Sequence, residues 1–76
     1  MDSKELLEQL KMVSNRVKRL GVVDTFKRYS DFEEIDDHEF HKLRRYLVNH
    51  IDLMDYYLKK RINELENKVD EQEKRG

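Results

Sequence analysis

Between Gly21 and Gly76 the chain runs for fifty-four residues without a glycine or a proline. These two residues are the strongest local breakers of regular structure, so a tract this long is committed to helix over most of its length. Its apolar residues fall into three rows at a step of eleven: Phe40, Ile51 and Ile62; Leu43, Met54 and Leu65; Leu47, Leu58 and Val69. Eleven residues in three turns is about 3.67 per turn, close to an unstrained helix, so such a seam runs almost straight. A heptad frame fails, because it would bring His50, Tyr57 and Arg61 onto the seam. The pattern therefore predicts one long helix over about 37–72, capped by Asp36 or Asp37 and on the order of 50 Å long.

Ahead of it, Leu6, Leu10, Val13, Val17 and Leu20 alternate steps of four and three, with Leu7 widening the same face. Asp2 is placed to cap this series with Glu5 as its reciprocal partner. Lys18 and Arg19 suit the last turn of a helix, and Gly21 suits a stop beyond it. A helix is expected over about 3–20. Over about 24–35 the sequence predicts short helical turns, with Asp24 as one cap and Ser30 with Glu33 as a second capping box. Phe26, Tyr29, Phe32 and Ile35 share a three-residue spacing that delivers all four to one core. Valine, threonine and aromatics also favour strands, but a lone strand here would have no partner.

The fold class expected is all-α: a single small helical domain over 1–76, with a helical hairpin-like protomer. Seventy-six residues with 37% hydrophobic and 43% charged side chains form a marginal monomer. Between residues 43 and 58 the apolar arc is wide, because Tyr46, His50, Leu53 and Tyr57 form a second stripe; from Ile62 onward it narrows. A wide arc calls for two neighbours and a narrow one for a single partner helix. The first helix and the 24–35 turns are therefore expected to pack on the middle of the long helix. A second chain would cover the remainder in a homodimeric bundle or coiled coil. Its seam is Leu47, Ile51, Met54, Leu58, Ile62, Leu65 and Val69, with 62–76 a projecting end frayed at its terminus.

Charge narrows the function classes. The net charge is -1, without the strongly basic footprint of a nucleic-acid binder. There is no cysteine, which removes disulfides and thiolate metal sites and fits a reducing, cytoplasmic compartment. The first twenty residues are densely charged, so neither a signal peptide nor a membrane span is expected there. The charges are nevertheless blocked: residues 11–30 carry six bases and one acid, and residues 31–39 carry six acids and no base. Asp36, Asp37 and Glu39 suit the start of the long helix. Asp31, Glu33 and Glu34 have no such local task and are candidates for a partner-binding surface, as are Tyr46 and Tyr57, a residue type that anchors interfaces. Lys42, Arg44 and Arg45 are the candidates for phosphate contact in an alternative, nucleic-acid-associated reading. His38 and His41 stand one turn apart near Asp37 and Glu34, but capping explains the carboxylates, so neither a metal nor another cofactor is expected.

Arg45 and His50, with Arg44 one step earlier, form an Arg-x4-His spacing. It resembles the signature of HEPN ribonucleases, helical proteins that cut RNA without metal at a dimer interface. The match covers six residues, and Tyr46 stands where that family commonly has a polar residue after the arginine. The resemblance implies a second alternative, a dimeric metal-independent ribonuclease in which one helix supplies both groups. The same residues also read as a solvated arginine and a histidine flanking the seam, and the principal expectation follows from that. It is a non-enzymatic protein–protein interaction or oligomerisation module, a small regulator, inhibitor or assembly factor that binds itself and a further protein partner.

Overall fold

The computed structural model describes residues 2–28 and 30–75, with the backbone alone for Val48, Ile51 and Arg75. It is helical, with no strand among the described residues: α1 Ser3–Leu20, α2 Val22–Lys27, α3 Ser30–Glu33, α4 His38–Val48 and α5 Ile51–Arg75. Among the described residues no helix is long and apolar enough to cross a membrane.

The first helix has the ends its sequence predicts. Asp2 Oδ1 accepts the Glu5 N–H at 2.9 Å, and Lys18 and Arg19 lie in the last turn. At Gly21 the backbone takes φ 88° and ψ 154°, and its N–H closes on the Val17 carbonyl at 2.8 Å. The Gly21 carbonyl then accepts both the N–H of Thr25, at 3.1 Å, and its Oγ1–H, at 2.9 Å. One residue thus ends α1 and starts α2, in a region of backbone space nearly closed to residues with a Cβ.

The long helix expected over 37–72 is instead two helices that fold back on each other. An unbroken helix of that length would span ~54 Å, whereas the longest dimension of the molecule is 40 Å. The break falls at Asn49 and His50. The N–H of Asn49 turns back to the Tyr46 carbonyl at 3.2 Å, and that of His50 to Leu47 at 2.9 Å. These tighter three-residue bonds end α4, and the His50 carbonyl then receives Leu53 N–H at 2.9 Å to open α5. Asparagine favours such a stop because its amide competes for nearby backbone groups.

Helix α1 lies antiparallel along α5, with Lys4 Nζ 3.2 Å from Glu73 Oε1 at the far end. The core contains Leu6, Leu7, Leu10, Val13 and Val17 of α1 and Met54, Leu58 and Leu65 of α5. Residues 24–35 supply the other end of the core through Phe26, Phe32 and Ile35; Tyr29, assigned to the same face, lies outside the described residues. Phe26 stacks on Phe32 at 5.0 Å between centroids, Phe32 on Phe40 at 5.7 Å, and Phe40 meets Tyr57 at 5.5 Å. This aromatic column ties α2, α3, α4 and α5 together.

The seam is consequently closed within one chain. Leu47, Met54, Leu58 and Leu65 are buried, Ile62 and Val69 pack partly buried against the core, and the side chain of Ile51 lies outside the described residues. Residues 62–75 form the C-terminal half of α5 and run beside α1.

Gly21→Ala should lower stability by about 1–3 kcal/mol through backbone strain. Nothing stands within 4 Å of the added methyl, so packing contributes no clash. Urea unfolding followed by circular dichroism reads the difference, and an unchanged midpoint would refute the assignment of Gly21 to that conformation.

Candidate interaction surface at the helical elbow

The elbow is held by one buried carboxylate. Asp37, 4% exposed, caps α4 through Oδ1, which accepts the N–H groups of Glu39 at 3.1 Å and Phe40 at 3.4 Å. Its Oδ2 accepts Arg61 Nε–H at 2.9 Å and the Tyr57 hydroxyl at 3.3 Å, both from α5. Arg61 also reaches Glu64 Oε2 at 3.5 Å. Along an unbroken helix Asp37 and Arg61 would stand ~36 Å apart. Their contact therefore requires the chain to double back. An isolated carboxylate is too costly to bury, so the cap and the guanidinium together make this position tenable.

The two α5 groups carry the imprint of that carboxylate. Burial pushes the Tyr57 hydroxyl well above the usual tyrosine range, and the charge of Asp37 beside it pushes in the same direction. For Arg61 burial acts to weaken the guanidinium's hold on its proton, but the hydrogen bond and charge of Asp37 outweigh it and raise the pKa.

The remaining acids of the 31–39 run are drawn inward to different degrees. Asp31, its side chain 12% exposed, takes Arg16 Nη1 on both oxygens at 2.6 and 2.7 Å, which clamps α3 to α1. Glu33 lies 3.6 Å from Arg44 of α4, and Glu34 is exposed. Of the candidate phosphate contacts, Lys42 and Arg45 are exposed on α4, whereas Arg44 is turned toward Glu33. His41 donates from Nε2 to the Ile35 carbonyl. Among the described residues no three histidine or acidic side chains converge as a metal-holding group. Arg45 lies inside α4 and His50 in the link beyond it, so the helix expected to carry both is interrupted between them.

The fold leaves uncovered the outer face of the α4–α5 hairpin. Leu43 is 39% exposed, Tyr46 58%, Leu53 41% and Tyr56 64%. Tyr46 rests against His50 at 4.6 Å between ring centroids. Leu43 and Tyr57 line a shallow groove between the helices, together with Glu39, Lys60, Arg61 and Glu64. Leu53 lies one turn before Tyr57 on α5, so Tyr46, Leu43, Tyr57, Leu53 and Tyr56 succeed one another across the face. The side chains together offer roughly 400 Å² of apolar and aromatic surface, the size of the largest patch on a typical monomer, which is often functional. Of the sequence candidates, Tyr46 belongs to this face outright and Tyr57 forms its partly buried floor. Leu43 and Leu53 were not distinguishable from core residues by spacing alone, and Tyr56 stands in no apolar row. The break at Asn49, which turns them outward, carries no glycine or proline signal.

Comparison with protein-family models, with curated proteins and with solved structures finds no match to the chain.

Two outcomes follow from the Asp37 cluster. Asp37→Ala removes a cap and strands a partly buried guanidinium, and should cost about 2–4 kcal/mol in urea unfolding; a loss below ~0.5 kcal/mol would rule out its pivotal role. Tyr57, with a pKa raised in the folded state, contributes stability in full below its ordinary value of about 10 and loses it as pH rises beyond that value. Wild type should therefore lose stability more steeply than Tyr57→Phe above about pH 10. Parallel slopes would show that the hydroxyl is not held by Asp37.

Proposed function

We propose that the protein is a non-enzymatic protein–protein interaction module that uses the outer face of the α4–α5 hairpin as its contact surface. The observation that supports it is the exposure of Leu43, Tyr46, Leu53 and Tyr56 on one face, beside a core that already buries Leu47, Met54, Leu58 and Leu65. Side chains of that size could pack inward in an all-helical protein; here the aromatic column fills the interior and leaves them outside. Tyrosine supplies large contact area with few rotors to freeze and keeps a hydroxyl for hydrogen bonding, which suits it to a surface that is wet when unoccupied. Regulator, inhibitor and assembly factor are the roles compatible with a small binding module. The homodimer expected from the sequence also belongs to this proposal, with its contact moved from the helical seam, now internal, to the elbow.

A second reading rests on the exposed row of α4, where His38, Lys42, Arg45 and Asn49 follow one another at steps of three and four. Such a row could contact phosphates, with affinity falling steeply as salt rises.

Site-specific photo-crosslinking in the native host separates these readings. A photoreactive phenylalanine analogue at Tyr46 should form protein adducts, while the same group at exposed Asn67 on α5 should form few. Equal yields from both positions would overturn the proposal, and nucleic-acid adducts from position 46 would favour the second reading.

A further inference from the structure

The rim of the elbow face is polarised in a way that fits a second copy of the chain. On α4, Lys42 and Arg45 are exposed four residues and one residue before Tyr46, on the side of that helix away from α5. On α5, Asp52 is exposed one turn before Tyr56, on the side away from α4. Lys60 is exposed one turn after Tyr56, nearer the groove, and Lys59, further round the helix, is engaged by Asp55 at 2.9 Å. Crossing the face from α4 to α5, the order is thus a basic edge, then Tyr46 and Leu43 with Glu39 beside them, Tyr57, then Leu53 and Tyr56 with Lys60 beside them, then an acidic residue.

A two-fold axis lying in the plane of this face, parallel to the two helices and passing between Tyr46 and Leu53, exchanges its two edges. We infer that the elbow face pairs with itself in an isologous homodimer, in which Leu53 and Tyr46 of the two copies pack at the centre and Arg45 of each copy faces Asp52 of the other. In an isologous contact a residue that meets a partner is met by that partner's copy, so one charge pair occurs twice and closes the assembly at two chains. A net charge of -1 offers no long-range repulsion between copies. The accessible surface of 5581 Å² exceeds by about a tenth the ~5,000 Å² expected for a monomer of this mass. The patch of roughly 400 Å² would form the apolar centre of a face that needs about 800 Å² per partner, leaving the polar rim to supply the rest.

The inference rests on the elbow face being the contact surface, and its test is built so that the two can fail separately. Sedimentation equilibrium of the full chain between 5 and 200 μM, roughly the range in which modest homodimers assemble, should give a mass near twice 9.4 kDa at the upper end. Leu53→Asp, at a position already 41% exposed, should leave helicity and thermal midpoint close to wild type while abolishing the dimer. Arg45→Asp and Asp52→Arg should each raise the dissociation constant about tenfold, since each places like charges together at two equivalent sites. The double variant Arg45→Asp with Asp52→Arg should recover wild-type affinity to within about twofold. A folded wild type that stays monomeric throughout, or a double variant weaker than either single one, overturns the inference. If the chain is monomeric yet the probe at Tyr46 captures a different protein, the elbow remains the contact surface and only its self-pairing fails.

Discussion

The carboxylate of Asp37 decides how the second half of the chain is arranged. A capping residue must sit at the start of its helix, and one oxygen of Asp37 is committed to that task on α4. The other oxygen takes Arg61 and Tyr57, which lie 24 and 20 residues further on. Satisfying both oxygens fixes the start of α4 against the middle of α5, and the link at Asn49 and His50 is the bend that permits it. Burial raises the stakes: at 4% exposure the carboxylate has little water to fall back on, so losing Arg61 would leave a charge in the interior. Phe40, three residues after the cap, is carried onto Tyr57 by the same geometry and completes the aromatic column.

Folding back reverses the roles of the two apolar stripes. In a straight helix the eleven-step seam would face a second chain, and the stripe of Tyr46, Leu53 and Tyr57 would receive α1. In the hairpin, α1 lies along α5 and closes the seam over Met54, Leu58 and Leu65. The second stripe, with Leu43, is left largely at the surface. Much of the charge that might have made a separate docking site is used to lock the helices: Arg16 with Asp31, Arg44 with Glu33, Arg61 with Asp37. The surface proposed for function is thus the remainder after the chain's own packing is satisfied.

How much of this was legible depended on range. Local features read well: the cap at Asp2, the stop at Gly21 and the delivery of Phe26, Phe32 and Ile35 to one core are decided by residues a few positions apart. The hairpin was not legible, because a two-residue link keeps the apolar rows in phase. Phe40 and Leu47 on α4 and Met54, Leu58 and Leu65 on α5 form one-sided stripes whether the helix is straight or folded. In sequence, the bases that immediately precede the acidic run are Lys27 and Arg28. The partners are instead Arg16, Arg44 and Arg61, chosen by tertiary geometry. Arg61 did stand out as a charge that a heptad frame would put on the seam, but spacing alone could not connect it to Asp37.

The central claim is that α4 doubles back along α5, and a distance measured in solution tests it most directly. Spin labels on exposed His38 and Glu64, read by double electron–electron resonance in dilute monomer, bracket the Asp37–Arg61 contact from outside. For two helices packed side by side the labels should lie about 10–20 Å apart, as interaxial distances of 8–10 Å dictate. A single unbroken helix would place them at about 39 Å. A distribution centred near the shorter distance supports the hairpin and the surface it exposes, and one centred near the longer would contradict both.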